Sequence, residues 1–235
     1  TETISVTSEM ITGFDSSATG TQTLTITYCG LIVDFEVEVK ENTTGNENEV
    51  TEYTVTASEV ATTISKLSHG EHILKVTGEI TSDTITEIAT AMTNNTTPKI
   101  NLDLSGTTGL TEIADSAFSN CFSLTNITIP ESVIKIEANA FISCTALNSV
   151  TIGNGVTSIG ASAFSECSSL TSITIGNNVT TIGDYAFYGC SSLTNVTIPG
   201  NVTTIGYDAF CNCSGLTSVT FADTTSTWYY TESSD

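Results

Sequence analysis

The chain has 235 residues, 39% of them hydrophobic, which is enough to bury a sizeable core in more than one module. Five lysines, no arginine and 26 acidic residues give it a formal net charge of −21. Nucleic acids and anionic membrane surfaces are therefore disfavoured as partners, because both are bound through clustered lysine and arginine. The acidic excess indicates either the solubilising surface of an extracellular protein or an acidic patch for a basic partner.

Residues 1–40 are predicted to form three short strands. Apolar residues alternate with polar ones in ISVT, TQTLTITY and IVDFEVEV, and the turn sequences GFDSSATG and CG separate these segments. The stretch ITGFDSSATGTQTLTITYCGLIVDFEVEV resembles the second half of a bacterial Ig-like domain. Since the first half is missing, we expect a partial Ig-like β domain whose open face is exposed or completed by another molecule, including a second copy.

Polar, acidic residues 41–50 are predicted to be a linker. Residues 51–112 then alternate strand and helix patterns: TEYTVTA, a helix from Ser58 to Leu67 with Ser58 as N-cap, HILKVTG, a helix over 82–94, and INLDLSG. We interpret this region as an α/β cap that covers the first of the repeats that follow. Asp103 in LDLS is expected to be an outward strand residue.

Five in-register copies of a 23-residue unit follow, beginning at Ile113, Ile136, Ile159, Ile182 and Ile205 and reaching Phe221. Each copy combines a short alternating strand, as in Leu-x-x-Ile-x-Ile, with an Ala-Phe-x-x-Cys segment that predicts a short helical turn on the opposite wall. One copy has too few large apolar side chains to fold alone, so the units must stack. Stacking predicts a continuous interior row of five phenylalanines, namely Phe118, Phe141, Phe164, Phe187 and Phe210.

The strand segment and the I-G-x-x-A-F-x-x-C-x-S-L segment together resemble the BspA-like, Treponema-type leucine-rich repeats of bacterial surface proteins. This resemblance implies an α/β solenoid with a parallel concave sheet, displayed outside the cell and often engaged in adhesion to host matrix proteins or other bacteria. Residues 222–235, which contain Trp228, Tyr229 and Tyr230, are predicted to be a C-terminal tail, a partial cap or an exposed aromatic patch.

Two sets of outward residues are candidates for ligand binding. The concave strands present a hydroxyl-rich lattice, which reflects either repeat duplication or a hydrogen-bonding face for protein or glycan. The convex side carries tyrosines at positions that are small elsewhere, which reflects either drift or an interaction hot spot. The candidates are Asn126, Thr128, Ser149, Thr151, Ser172, Thr174, Asn195, Thr197, Ser218 and Thr220 on the strands, and Tyr185, Tyr188 and Tyr207 on the convex side.

The seven cysteines do not predict a disulfide framework. Five of them, Cys121, Cys144, Cys167, Cys190 and Cys213, share one repeat column whose neighbours are apolar, so we expect reduced core thiols. Cys211 falls in an outward column, where it is expected to be accessible and able to pair two chains under oxidation.

No pattern in the sequence indicates catalysis. There is no nucleotide-binding glycine loop and no GxSxG, and acids are sparse in the repeats, so we expect no catalytic residues, cofactor or metal. His69 and His72 lack companions at metal-site spacing and are interpreted as structural. No apolar run is long enough to span a membrane, so we expect no membrane insertion. No signal-peptide pattern is found in this chain either, so no leader is expected in it.

Two functional hypotheses remain from the sequence. The first is an extracellular adhesion-type module on the bacterial cell surface that binds host matrix or bacterial surface proteins. The second is a passive spacer segment of a larger surface protein.

Overall fold

The computed structural model describes residues 50–223 and, before them, the strands at 11–12, 20–28 and 31–39. The chain divides into two compact units, residues 1–47 and residues 48–235. The predicted strand ISVT, the predicted linker up to residue 49 and the aromatic residues of the C-terminal tail lie outside the described residues.

The first unit contains one antiparallel sheet with the strand order β1-β2-β3. Its strands are β1 (Ile11–Thr12), β2 (Gly20–Tyr28) and β3 (Leu31–Val39). The hairpin of β2 and β3 pairs Gly20 with Val39 and Tyr28 with Leu31, which confirms the second and third predicted strands. The Ig-like assignment stays a prediction.

The second unit begins with an alternation of strands and helices that is close to the predicted one. The elements are β4 (Val50–Thr56), α1 (Val60–Lys66), β5 (Gly70–Glu79), α2 (Ser82–Asn94) and β6 (Pro98–Thr108). The three strands are parallel, and β6 pairs directly with the first concave strand of the repeats. Apolar residues of both helices, including Ile64, Ile88 and Met92, belong to the same hydrophobic core as the repeats.

The predicted start of α1 is wrong by one residue. Glu59, not Ser58, is the N-cap, and its carboxylate accepts hydrogen bonds from the Thr56 hydroxyl at 2.7 Å and the Thr56 N–H at 3.2 Å. These two bonds lower the pKa of Glu59. Ser58 instead places its hydroxyl 3.1 Å from that of Thr56, in the turn before the helix.

The repeats form two rows of parallel strands, and every register step is 23 residues. The concave row contains β8 (Leu124–Thr128), β10 (Ser149–Thr151), β12 (Ser172–Thr174), β14 (Asn195–Ile198) and β16 (Ser218–Phe221). The second row contains β7 (Glu112–Ile113), β9 (Lys135–Ile136), β11 (Ser158–Ile159), β13 (Thr181–Ile182) and β15 (Thr204–Ile205). Pairs such as Val150 with Ile173 and Ile159 with Ile182 confirm the predicted repeat frame.

The concave strands continue the cap sheet, with the order β12-β10-β8-β6-β5-β4, while β14 and β16 form a separate pair. The cap and the first repeats therefore share one parallel sheet. The second row is a single five-stranded sheet with the order β15-β13-β11-β9-β7.

The convex segments are hydrogen-bonded turns that do not continue as a helix. In the third repeat, Ala163 N–H donates to Gly160 O and Ser165 N–H donates to Ser162 O. Ser162 and Glu166 have φ angles of +54° and +61°, which a helix cannot contain. The same two columns have positive φ throughout the described repeats, at Ser116, Asn139, Ser162, Tyr185 and Asp208 and at Asn120, Ser143, Glu166, Gly189 and Asn212.

In these turns, alternate backbone N–H groups point toward the next repeat and form hydrogen bonds with it. Ser162, Phe164 and Glu166 donate to the carbonyls of the following turn over 2.7 to 2.8 Å. The convex wall is therefore a second hydrogen-bonded ladder between repeats, and it adds to the ladders of the two strand rows.

The predicted phenylalanine row is present. Phe118, Phe141, Phe164, Phe187 and Phe210 stack with ring centroids 5.0 to 5.3 Å apart and ring planes within 10° of parallel. The first four are fully buried, whereas Phe210 in the last described repeat is only half-buried. The interior is thus one continuous core.

The cysteine column lies beside this row and is also buried. The Cys144 thiol donates to Phe118 O at 2.9 Å, and the thiols of Cys167, Cys190 and Cys213 make the same contact one repeat further along each time, at 3.1 to 3.2 Å. Burial raises the pKa of Cys121 and of Cys167 to about 12. The described cysteines are free thiols, and Cys211 is half-buried rather than fully accessible.

Burial and the raised pKa values predict slow labelling of the column. At neutral pH we expect a maleimide reagent to modify Cys211 in the native protein and to leave Cys121, Cys144 and Cys167 unmodified, because thiolate is the reactive form. Peptide mass mapping measures each site separately, and labelling after denaturation is the control. Rapid native labelling of Cys167, or its resistance after denaturation, would contradict a reduced, buried column.

Candidate binding surfaces

All ten predicted concave residues lie in two outward columns of the strand row. In the first four strands of this row a buried residue, such as Val150 or Ile173, separates the two columns, so alternate side chains face away from the core. In β16 the residue between the columns, Val219, is itself exposed. The Asn/Ser column consists of Asn126, Ser149, Ser172, Asn195 and Ser218. The Thr column consists of Thr128, Thr151, Thr174, Thr197 and Thr220.

Other threonines of the repeats use their hydroxyls within the protein. Thr157, Thr180 and Thr203, for example, each donate to a carbonyl of the preceding repeat at 3.1 to 3.3 Å. Within residues 50–223, by contrast, no hydrogen bond involves a side chain of the Thr column. These hydroxyls project from a rigid sheet at a strand spacing of about 4.8 Å, so they are available to an external partner.

The Asn/Ser column is partly occupied by its own hydrogen bonds. Ser149 donates to the Asn126 Oδ1 at 2.6 Å, and Ser218 donates to the Asn195 Oδ1. The Asn126 Nδ2 in turn donates to the Thr125 hydroxyl at 3.3 Å. These contacts order the side chains of the Asn/Ser column. They also leave this column fewer free donors and acceptors for an external partner than the Thr column has.

The Thr column continues into the cap with charged residues, whereas the Asn/Ser column continues with Asn101 and Ile73. Lys75 and Asp103 lie in register with the Thr column, and Asp103 faces outward as predicted, with its carboxylate accepting the Ser105 N–H at 2.9 Å. Lys75 forms an exposed ion pair with Glu52 at 2.7 Å, and this hydrogen bond and the charge of Glu52 raise the pKa of Lys75. The strand face therefore changes from charged at the cap to neutral and hydroxyl-rich along the repeats.

The three predicted convex tyrosines form one cluster. The ring of Tyr185 lies 5.9 Å from that of Tyr188 and 5.6 Å from that of Tyr207, and both pairs are edge-on, at 71° and 77°. Tyr185 is 38% exposed and Tyr207 is 51% exposed, while the Tyr188 hydroxyl accepts a hydrogen bond from the Asn212 Nδ2 at 2.6 Å. The tyrosine cluster thus combines exposed aromatic area with fixed ring positions.

Tyr185 occupies a backbone position that suits other residues better. Its φ is +56°, and the residues in its column are serine, asparagine or aspartate in the other repeats. Asparagine and aspartate tolerate this left-handed region, whereas for most side chains it costs about 1–2 kcal/mol and a bulky residue there is an outlier. Strain of this kind is concentrated at functional sites.

The two histidines take separate roles in the cap. His69 is exposed, whereas His72 is buried with its Nε2 3.2 Å from Ser68 O. Within the part of the chain that the structure describes, no three potential metal ligands of the His, Cys, Asp and Glu types lie together. The helices described there are also too short or too polar to cross a membrane.

Parallel strand rows, 23-residue registers and a stacked phenylalanine row define a leucine-rich repeat solenoid. The model of the BspA type leucine rich repeat region matches residues 111–231, just over half of the 235-residue chain. The chain belongs to this family. The match has six copies, one more than the five predicted, and it extends ten residues beyond Phe221.

Solved structures of similar proteins come from several bacteria. The T. pallidum leucine rich repeat protein is 38% identical over 46% of this chain and 50% of its own, with a TM-score of 0.46. A leucine-rich repeat protein from Bacteroides ovatus is 38% identical over 46% of this chain and 28% of its own, with a TM-score of 0.45. A leucine rich cell surface protein from Faecalibacterium prausnitzii is 25% identical over 90% of this chain and 54% of its own, with a TM-score of 0.43.

The chain therefore spans about half or less of the length of these structures. No curated protein matches it significantly.

Proposed function

We propose that this chain is a non-enzymatic, extracellular adhesion-type module of a bacterial cell surface, which binds host matrix or bacterial surface proteins through its solenoid. Membership of a leucine-rich repeat family supports a protein-interaction role. The tyrosine cluster is the observation that carries the proposal, since it keeps an exposed aromatic ring at a strained backbone position. Tyrosine is enriched among residues that dominate binding energy at interfaces.

The Thr column supplies a second contact surface. Its hydroxyls have no partner within residues 50–223, and the neighbouring Asn/Ser column is already ordered by its own hydrogen bonds. A partner that meets this face finds a preorganised row of donors and acceptors, which reduces the entropy lost on binding. Binding would proceed by surface complementarity and without a covalent step.

A binding screen with surface variants tests this function. Surface plasmon resonance would measure the chain against fibronectin, fibrinogen and purified bacterial surface proteins. For a partner that binds saturably, Tyr185→Asn, Tyr188→Ala or Thr174→Lys is expected to weaken binding about tenfold or more, which corresponds to about 1.4 kcal/mol. Tyr185→Asn is the most informative variant, because asparagine tolerates positive φ and should leave stability unchanged or higher.

Two variants serve as matched controls. Thr86→Lys adds the same charge on the exposed face of α2, and Phe122→Ala removes an aromatic ring that is 45% exposed away from the cluster. Both are expected to leave affinity within about twofold, as for surface positions outside a hot spot. Uniform absence of binding across the panel would favour the passive spacer, and equal effects of test and control variants would remove both surfaces from the proposal.

A further inference from the structure

Three acidic residues adjoin the tyrosine cluster, either along the chain or across the convex ladder. Asp184 directly precedes Tyr185, and its Oδ1 accepts the Tyr207 N–H at 2.7 Å. Glu166 is exposed and adjoins Tyr188 in the convex ladder, where its N–H donates to Tyr188 O at 2.7 Å. Asp208 follows Tyr207 and occupies the column of Tyr185 one repeat further along. The aromatic surface and the negative charges therefore belong to one patch.

No cation of the repeats neutralises this patch. Lys135 is the last lysine of the chain, and there is no arginine. The ion pairs found in residues 50–223, Lys75 with Glu52 and Lys99 with Glu71, both lie in the cap. Acids are also sparse along the described repeats after Lys135, so three of them around three tyrosines form a local concentration of charge.

We propose that the patch formed by Tyr185, Tyr188, Tyr207, Glu166, Asp184 and Asp208 binds an arginine- or lysine-bearing segment of a partner protein. Cations are attracted to the faces of aromatic rings, and arginine also pairs with carboxylates through two parallel hydrogen bonds. Arginine is the favoured side chain, because its planar guanidinium stacks on tyrosine while it reaches a carboxylate. This inference rests on the proposed function, for which it names the chemistry of the partner.

The net charge of −21 attracts any basic peptide over long range, so the test must separate the patch from this background. The probe is a fluorescein-labelled peptide of alternating arginine and glycine, and its affinity is measured by fluorescence anisotropy at about 0.15 M salt, where the Debye length is about 8 Å. Peptides with lysine or serine in place of arginine give the order of preference. We expect arginine to bind more tightly than lysine, and serine to show no binding.

Two kinds of variant separate local recognition from general attraction. The double variant Tyr185→Asn with Tyr207→Ser keeps the net charge and is expected to weaken binding of the arginine peptide at least tenfold. Asp208→Asn removes one charge within the patch and is expected to weaken binding of the arginine peptide about fivefold, which is near the upper end of what one exposed ion pair contributes. Glu137→Gln removes the same charge three repeats before Asp208, outside the patch, and is expected to change affinity less than twofold.

The outcomes distinguish this inference from the proposed function. Equal weakening by Asp208→Asn and Glu137→Gln, with no effect of the double tyrosine variant, would show general attraction only and overturn the cationic site. A protein of the screen that binds through the tyrosines but whose affinity is unaffected by Asp208→Asn would overturn the cationic partner and leave the interaction function intact. Tyrosine-dependent binding of the arginine peptide without any protein binder would support the site and count against the screened partner classes.

Discussion

Replacing Phe164 with alanine is expected to lower the free energy of unfolding of the stacked repeats by about 3–5 kcal/mol. This is the range found when large aromatic residues are removed from protein cores. Phe164 is fully buried, and its ring lies 5.0 Å from that of Phe141 and 5.3 Å from that of Phe187. Its removal leaves a gap that neither neighbour can fill, because both are held by their own stacking contacts. Urea unfolding followed by circular dichroism measures the loss.

Phe122→Ala is the matched control, because Phe122 is 45% exposed. Its truncation is expected to change the free energy of unfolding by at most about 0.5 kcal/mol, as for surface positions in general. Because stacked repeats are stabilised by their neighbours, the Phe164 variant should shift the unfolding midpoint of the repeats as a whole. Similar losses in the two variants would mean that the stacked row does not hold the repeats together.

Gly183→Ala is expected to cost about 1–3 kcal/mol, as overpacking does in a closely packed core. A Cβ at Gly183 would lie 2.7 Å from the Ala161 nitrogen and 2.7 Å from the Gly160 carbonyl carbon, both backbone atoms of the preceding repeat. Gly183 also donates its N–H to Ile159 O at 2.8 Å, so a shift that relieves the clash weakens this bond. Thermal and urea unfolding measure the effect.

The comparison variant for this position is Gly200→Ala. A Cβ there would have the Asp223 side chain as its nearest contact, at 3.4 Å, which is an ordinary packing distance. Alanine at such a site is expected to be neutral or to stabilise by up to about 1 kcal/mol, because it restricts the unfolded chain. If Gly200→Ala destabilises as much as Gly183→Ala, close approach of the repeats is not the reason for glycine at position 183.

Phe164 and Gly183 are expected to affect the two candidate binding surfaces as well as stability. The Thr column and the tyrosine cluster are arrays whose spacing comes from the stacking distance of the repeats. Phe164 and Gly183 set this distance in the interior and on the convex wall. Variants that loosen the stack without unfolding it are therefore expected to weaken ligand binding at both surfaces.

Periodicity in the amino-acid sequence is sufficient to predict the repeat frame and the residues that face the core. A 23-residue spacing leaves a single register for stacking, so the phenylalanine row, the cysteine column and the two concave columns followed from periodicity. Helix α2 was equally predictable, because Ile85, Ile88 and Met92 recur on one face. Local patterns suffice wherever each element repeats the contacts of its neighbour.

The grouping of the outward residues, by contrast, depends on how the repeats are superposed in three dimensions. Tyr185, Tyr188 and Tyr207 belong to different columns, and their edge-on contacts depend on how the convex turns of two repeats are superposed. Periodicity also does not predict the positive φ of Tyr185 or the contact of Asp184 with Tyr207. The tyrosines and acids that interrupt the serine-rich convex positions were the one signal in the sequence that pointed to this site. The Thr column differs from other threonines of the repeats because those threonines donate hydrogen bonds to the preceding repeat. A sequence pattern does not record such contacts between stacked repeats.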